Sequence, residues 1–132
     1  MKISDDELRQ KLTPEQFHVL RERGTEAPGS GDLLYNEEKG EYYCPVCNSL
    51  LFSSDAKYES TTPGLIGWPS FSQAATNDAL ELVPDDSLGM SRTEVRCATC
   101  GSHLGHLFDD PAAPNGKDYC INSCALDFKK DA

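Results

Sequence analysis

Six cysteines carry most of the chemistry that this sequence could perform. Four of them form two C-x-x-C units, at residues 44–47 and 97–100. Each unit suits a tight turn that directs two thiolates at one cation, and two such turns complete a tetrahedral zinc site. Asn48 and Gly101 follow the turns, and both residue types tolerate a positive φ. The spacing therefore predicts one structural Zn2+ with four ligands, Cys44, Cys47, Cys97 and Cys100.

A redox-active dithiol is the competing interpretation of a C-x-x-C unit. Motifs of that kind occur in a βαβ context, which this sequence lacks, and one redox pair would not explain two copies. In a reducing compartment, cysteines are retained for metals or for reactivity. Structural zinc is therefore favoured, and its removal should loosen a small core.

Cys120 and Cys124 remain outside the two pairs. Free cysteine is often a buried apolar residue, and that interpretation stays open for both. His103 and His106 could serve a nucleophilic thiol, by stabilising its thiolate or by donating a proton to a leaving oxygen. They could instead be hydrogen-bonded core residues or zinc ligands. Zinc ligation is less favoured because it would leave the first cysteine pair without a metal partner.

The only tryptophan, Trp68, lies in the loop motif Gly67-Trp68-Pro69-Ser70-Phe71. A lone tryptophan is more often a core anchor than a ligand platform. Its place between glycine and proline makes exposure beside a site more plausible. An aromatic wall there would suit a methyl or thioether group.

The elements that must position these residues begin with two short helices, within residues 1–24. Residues 4–7 and 13–16 each have the form of a capping box. Gly24 is expected to end the second helix. Both helices carry apolar residues on one face, at Leu8, Leu12, Phe17 and Leu20. We expect a helical arm packed on the outside of the remaining chain.

Beyond this arm the pattern changes to short segments rich in tyrosine and valine. Residues 92–96 alternate, which places Thr93, Val95 and Cys97 on one face of a strand. Further strands are predicted at 41–43, 50–52, 57–59, 119–121 and 125–128. Because strands do not alternate with helices, we expect a small antiparallel β domain behind the arm. We expect one domain, 1–132, with the arm at 1–24 and a zinc-bound β core at 32–132.

Composition and charge are those of an ordinary small globular domain. The chain has 132 residues and a net charge of −10, which disfavours nucleic-acid phosphates and anionic membrane surfaces. No apolar run approaches the ~18 residues of a spanning helix, and residues 1–10 lack signal-peptide character. We expect a cytoplasmic monomer that binds neither nucleic acid nor membranes.

Three segments together resemble the type B methionine-R-sulfoxide reductases: residues 67–71, 96–106 and 119–123. The resemblance also covers 12–16, 24–26 and both C-x-x-C pairs, so it extends over nearly the whole chain in order. It implies a mainly β, tent-like fold of two antiparallel sheets with a bound zinc. It also implies reduction of the R epimer of methionine sulfoxide, preferentially in proteins.

The resemblance implies roles for particular residues. Cys120 would attack the sulfoxide sulfur and become a sulfenic acid, which thioredoxin or another thiol would reduce. His103 and His106 would hold and protonate the oxygen, and Asn122 would help to position the polarising groups. Two aromatic residues would bind the substrate: Trp68, which would cradle the methyl group, and Phe71.

The chain departs from the family pattern in three places. Ile66 stands where many members carry a resolving cysteine, and residues 110–112 replace the usual Asp-Gly-Pro turn. Asp118 stands where many members carry arginine, and an aspartate there should raise the pKa of a nearby thiol.

Cys124 is either a buried structural residue or an alternative resolving cysteine. Residues four apart in a regular strand are ~13 Å from each other, beyond the ~7 Å that a disulfide spans between Cα atoms. A direct bond to Cys120 would need a bulge or a turn. We therefore expect a one-cysteine enzyme that an external thiol reduces directly.

Two other functions remain in competition. A non-enzymatic zinc β module would share the fold and metal but would need neither Cys120 nor the histidines. A thiol–disulfide oxidoreductase would cycle a C-x-x-C pair and lack zinc. Zinc content separates the last class from the others, and replacement of Cys120 by serine separates enzyme from binding module.

Overall fold

The chain folds into two antiparallel sheets preceded by two helices, in a computed structural model that describes residues 4–27, 29, 31, 33–60, 67–76, 78–85, 92–114 and 116–130. The helices are α1 (Asp5–Lys11) and α2 (Pro14–Glu22). The strands are β1 (Gly40–Tyr43), β2 (Leu50–Ser53), β3 (Lys57–Tyr58), β4 (Ser70–Phe71), β5 (Leu80–Asp85), β6 (Arg92–Cys97), β7 (His103–Asp109), β8 (Lys117–Ile121) and β9 (Asp127–Lys130). The predicted fold class, mainly β with an N-terminal helical arm, is confirmed.

Packing between the two sheets forms the core. The smaller sheet has the order β2-β1-β9 and the larger the order β3-β4-β8-β7-β6-β5. Tyr42 and Phe52 from the smaller sheet meet Phe71 from the larger, with ring centroids 5.1 and 4.3 Å from that of Phe71. All three side chains are fully buried. These aromatic contacts hold the two sheets face to face.

Both helices of the arm begin at the predicted N-cap, but only α2 has the complete capping box; in α1 the Glu7 carboxylate accepts from the Ser4 hydroxyl instead. In α2, the Thr13 hydroxyl accepts from the Gln16 amide and the Gln16 side chain accepts from the Thr13 amide, which completes a capping box. The apolar residues assigned to the inner face are buried, namely Leu8, Leu12, Phe17 and Leu20. None of the described helices combines the length and apolar character needed to span a membrane.

The end of α2 differs from the prediction by one residue. The helix ends at Glu22, and Arg23 rather than Gly24 adopts the left-handed conformation, with φ of 59°. Buried carboxylates bind the Arg23 side chain, which offsets the strain of that backbone. Gly24 lies against the His18 ring, and a Cβ at position 24 would lie 2.2 Å from it, so that this exposed ring would have to move.

Three strands escaped prediction. β4 lies within the motif expected to be a loop, β5 has no alternation of buried and exposed residues, and β7 contains an irregularity described below. The segment predicted as a strand at 125–128 is divided between a 3₁₀ helix, Ser123–Ala125, and β9. Cys120 therefore lies in a strand, and Cys124 lies in a helical turn.

Candidate active site and metal site

The four paired cysteines meet at one point. Their sulfur atoms all lie within 4.8 Å of one another, with 3.7 Å between Cys44 and Cys100 and 3.5 Å between Cys47 and Cys97. A tetrahedral zinc with bonds of ~2.3 Å to each sulfur separates the sulfurs by about 3.8 Å. The four side chains are thus close enough to bind one metal ion, and thiolate is the ligand type that zinc and other soft cations prefer.

The two metal-binding turns have the same backbone geometry. In the first, the Asn48 amide donates to the Cys44 carbonyl at 2.8 Å, and in the second the Gly101 amide donates to the Cys97 carbonyl at 2.8 Å. Asn48 has a φ of 62° and Gly101 a φ of 75°, as the residue types predict. One turn follows β1 in the smaller sheet and the other joins β6 to β7 in the larger, so a bound ion would connect the two sheets.

A β-bulge brings the two histidines to one face of β7. Residues three apart in a regular strand point to opposite faces. The pairing of β6 with β7 shifts by one residue, so that Glu94 lies opposite His106 and Arg96 lies opposite His103. Because β7 contains one extra residue at this point, the side chains of both histidines lie on the same face of the strand. Their ring centroids lie 5.5 Å apart in an edge-on arrangement.

A buried carboxylate holds each histidine, and neither carboxylate was predicted. His103 Nδ1 lies 2.8 Å from Glu94 Oε2, and His106 Nε2 lies 2.8 Å from Asp85 Oδ2. Arg23 contacts both carboxylates, at 3.2 Å from Glu94 and 3.6 Å from Asp85. The arm that carries Arg23 therefore connects the supports of the two histidines.

These contacts define the protonation of His103. Burial lowers its pKa below the ordinary histidine value, although Glu94 acts in the opposite direction. Burial raises the pKa of Glu94, but hydrogen bonds from Arg96 and His103 lower it by a larger amount. The pKa of Glu94 is therefore below its ordinary value. His103 is thus a neutral imidazole that donates its Nδ1 hydrogen to Glu94. Its Nε2 is buried without a hydrogen-bond partner among the described residues.

Four of the predicted site residues line one pocket of about 120 Å³. They are Trp68, His106, Cys120 and Asn122, and the remaining lining comes from Thr25, Arg92, Gly105 and Phe108. His103 lies behind this lining, in edge contact with His106. The pocket therefore brings a thiol, an imidazole and aromatic side chains together.

Phe71 is not brought to this pocket. β4 pairs with β8 so that Ser70 lies opposite Cys120 and Phe71 lies opposite Tyr119. The Phe71 ring consequently points away from Cys120, into the core between the sheets. Phe108, two residues beyond His106 on the same face of β7, supplies the second aromatic wall instead.

Cys120 lies between a hydroxyl and an imidazole on neighbouring strands. Its direct partners across the sheet are Ser70 in β4 and His106 in β7. Its side chain is buried, and burial raises the pKa of the thiol to about 12, with further contributions from the charges of Asp118 and Glu26. The effect of Asp118 has the predicted direction. The resting thiol is therefore protonated.

We expect Asp118→Asn to make Cys120 more reactive. Loss of the charge lowers the thiol pKa, and each unit increases the thiolate fraction at pH 8 about tenfold. Stability should also change, because burial raises the pKa of Asp118 above its ordinary value of 3.8. Ionisation of Asp118 therefore lowers the free energy of unfolding as the pH rises from 3.8 through the folded pKa. Asparagine should remove this loss at pH 7. Below pH ~4 the aspartate is protonated in both states, so the substitution should have no such effect there.

Peptide-resolved alkylation of Cys120 across pH, with the Tm at pH 7 and pH 4, checks both effects. The matched control is Asp127→Asn, since Asp127 is exposed on β9. An unchanged or slower alkylation of Cys120 in the Asp118 variant would contradict the expected electrostatic effect.

Cys124 opens into a different pocket from Cys120. It lines a larger cavity of about 520 Å³ between α2, the 3₁₀ helix and β9. Burial raises the pKa of its thiol to about 12, and Glu26 adds to this shift. Ile66, the position of the usual resolving cysteine, lies outside the described residues.

These features define a class: a β protein with a four-cysteine metal site and a buried thiol that faces a histidine in an aromatic pocket. A protein-family model described as the SelR domain matches residues 12–130. The chain belongs to this family, that of the MsrB peptide methionine sulfoxide reductases, which are oxidoreductases.

Curated relatives agree over nearly the full chain. The peptide methionine sulfoxide reductase MsrB of Methanosarcina barkeri is 55% identical, over 97% of this chain and 87% of that protein. MsrB of Leptospira interrogans is 48% identical, over 97% of this chain and 95% of that protein. The mouse methionine-R-sulfoxide reductase B3, mitochondrial, is 46% identical over 96% of this chain and 48% of its own length.

Proposed function

We propose that this chain reduces the R epimer of methionine sulfoxide in proteins, with Cys120 as the nucleophile. The observation that carries the proposal is the shared pocket of Cys120, His106 and Trp68. Its volume of about 120 Å³ is small, which suits a compact group such as a methyl sulfoxide. Aromatic surface on one side and imidazole on the other match the methyl group and the oxygen of such a substrate.

The reaction balances without a metal or other cofactor. The Cys120 sulfur attacks the sulfoxide sulfur and forms a bond to it. That bond and the substrate's sulfur–oxygen bond then break as the oxygen bonds to the Cys120 sulfur, and the products are methionine and a cysteine sulfenic acid. The protein thiol is oxidised by two electrons as the sulfoxide is reduced by two. The thiol proton becomes the proton of the sulfenic acid, so no proton is taken from solvent.

His106 is proposed to relay this proton. It lies directly across the sheet from Cys120, and its link to Asp85 fixes the ring. A positioned imidazole can accept the thiol proton and return it to the oxygen that leaves sulfur. His103 supports the ring of His106 by edge contact, and the hydrogen bond to Glu94 holds the ring of His103 in place.

Selectivity for one epimer follows from the two unlike walls of the pocket. Exchange of the methyl group and oxygen would place the polar oxygen against the Trp68 and Phe108 rings and the methyl group against His106. The assignment to the R epimer is supported by the family and by the name of the mouse relative.

Regeneration is proposed to use an external thiol, either thioredoxin or a small thiol. The separate openings of Cys120 and Cys124 support a one-cysteine cycle, since the two thiols face different pockets. Direct attack on the sulfenic acid gives a mixed disulfide and water, and a second thiol then releases Cys120.

One Zn2+ is proposed to bind the four paired cysteines in a structural role. The sulfur separations fit zinc, and the four-sulfur site leaves no open coordination position. The ion would supply stability and would leave the chemistry to the pocket.

The test is epimer-resolved reduction of an N-acetylated methionine sulfoxide amide with dithiothreitol as reductant. We expect the R epimer alone to be consumed. Dithiothreitol avoids dependence on a particular protein reductant. If a folded, zinc-loaded sample consumes neither epimer, the non-enzymatic zinc module becomes the better interpretation. Consumption of both epimers would contradict the proposed arrangement of the pocket walls.

A further inference from the structure

Glu26 is a buried carboxylate in the segment that follows α2. Its side chain is 4% exposed, and it forms no ion pair with a lysine or arginine among the residues that the structure describes. A Cβ at Gly31 would lie 2.7 Å from Glu26 Oε2, so glycine packs closely over the carboxylate. A charge buried in this way is retained only where hydrogen bonds replace its hydration.

Four hydrogen bonds hold residue 26, two to the 3₁₀ helix and two to residues of the pocket that contains Cys120, His106 and Trp68, called here the sulfoxide pocket. The Glu26 carboxylate accepts from the amides of Ser123 at 2.9 Å and Cys124 at 3.0 Å. Its own amide donates to Asn122 Oδ1 at 3.0 Å, and its carbonyl oxygen accepts from Trp68 Nε1 at 3.0 Å. The side chain thus anchors residue 26, and the backbone of residue 26 holds the two pocket residues.

Asn122 extends this arrangement to the histidine strand. Its Nδ2 donates to the Leu104 carbonyl at 2.9 Å, at the bulge between the two histidines. Each polar atom of the Asn122 carboxamide thus forms a hydrogen bond with the protein backbone, which fixes the orientation of the side chain in the pocket lining. Asn122 therefore connects residue 26 to β7.

We propose that Glu26 is a positioning residue of the sulfoxide pocket, which fixes Trp68 relative to Asn122 and the strand that carries His106. This inference rests on the proposed reductase function. The anchor is the N-terminal end of the 3₁₀ helix Ser123–Ala125, whose first amides are oriented to bind an anion.

The negative charge of Glu26 disfavours ionisation of the Cys120 thiol, so the electrostatic effect of Glu26 on the reaction differs in sign from its proposed effect on the pocket geometry. Its negative charge contributes to the raised pKa of both Cys120 and Cys124. Any benefit to catalysis must therefore come from the arrangement of the pocket. Removal of the charge should make Cys120 easier to ionise even as the pocket loses its geometry.

Two variants separate these contributions. Glu26→Gln removes the charge and leaves one oxygen for two amides. Glu26→Asp keeps the charge but is one methylene too short to reach both amides. Glu38→Gln is the matched control, because Glu38 is exposed in a loop. The readouts are kcat and KM for the R epimer, the emission of the single tryptophan, Trp68, and the pH midpoint of Cys120 alkylation.

We expect both Glu26 variants to lose about tenfold or more in kcat/KM, mainly through KM, because small displacements of substrate-binding groups have effects of this size. Trp68 emission should change in both variants. Only Glu26→Gln should move the alkylation midpoint of Cys120 to lower pH, and Glu38→Gln should match the native chain throughout.

A folded Glu26 variant with kcat/KM within twofold of the native value would overturn the proposal. Loss of cooperative unfolding in both variants would also overturn it, since Glu26 would then support the core rather than the pocket. Inactivity of the native chain would count against the reductase function instead. In that case, unchanged Trp68 emission in both variants would still refute the positioning role.

Discussion

Cys120→Ser should lower the rate of R-sulfoxide reduction by about 10⁴-fold or more, the scale seen when the nucleophile of an enzyme is removed. A serine hydroxyl cannot form the sulfur–oxygen acid that carries the oxygen away from substrate. Serine is close to cysteine in size, and Cys120 pairs with its neighbouring strands through backbone atoms. The fold and the metal site should therefore survive, which makes the activity loss specific to chemistry.

Cys124→Ser is the matched control for this experiment. Cys124 faces the larger pocket, so its serine variant should retain most of the activity with dithiothreitol. In a single turnover without reductant, trapping with dimedone should label Cys120 of the native chain as the sulfenic acid. A disulfide between Cys120 and Cys124 in that experiment would contradict the proposed one-cysteine cycle.

Removal of the metal should have the largest effect on stability. Structural zinc contributes about 10–16 kcal/mol in small zinc domains, which is comparable to the whole stability of about 5–15 kcal/mol of a typical domain. The four sulfur ligands come from turns in different sheets, and β7 begins three residues after Cys100. Chelation or Cys97→Ser should therefore abolish cooperative unfolding and, with it, reductase activity.

Circular dichroism during thermal unfolding, together with metal content, checks this expectation. The native chain should contain one zinc per molecule, and Cys124→Ser should retain it because Cys124 is not among the clustered sulfurs. A metal-free sample with an unchanged Tm would show that the core does not depend on the ion. In that case the C-x-x-C pairs would need another explanation.

The metal site was predictable because it depends on local spacing. Each C-x-x-C unit defines its own turn, and the residues that follow, Asn48 and Gly101, have the backbone conformation that their types favour. The same locality explains why the N-caps of the two helices, Ser4 and Thr13, were predicted correctly. Only the proximity of the two turns is a property of the tertiary fold, and the chemistry of zinc already requires it.

The supports of the histidines were not predictable because they depend on strand register. Glu94 is an acidic residue between two arginines in β6, a pattern typical of a solvated face. It lies opposite His106 and binds His103 only because β7 contains a bulge. Gly105, beside the extra residue, is the one signal in the sequence, since a glycine within a strand often marks a bulge, but β7 itself was not predicted. Asp85 belongs to a strand that was itself missed.

Phe71 illustrates the same limit within a motif. The motif 67–71 indicated two aromatic residues near the site, but neighbouring residues of a strand point to opposite faces. Ser70, opposite Cys120, occupies the side of the nucleophile, and Phe71 packs on Phe52 in the core. Resemblance could not assign the faces, whereas the pairing of β4 with β8 does.

The small volume of the sulfoxide pocket has a consequence for which lesions can be repaired. In the proposed reaction, a pocket of about 120 Å³ would admit only the tip of the oxidised side chain, and the main chain of the damaged protein would stay outside. An oxidised methionine in the interior of a folded client is then out of reach until that region opens. Repair of such clients should follow their local unfolding equilibria, with frayed and misfolded chains restored first and intact ones last.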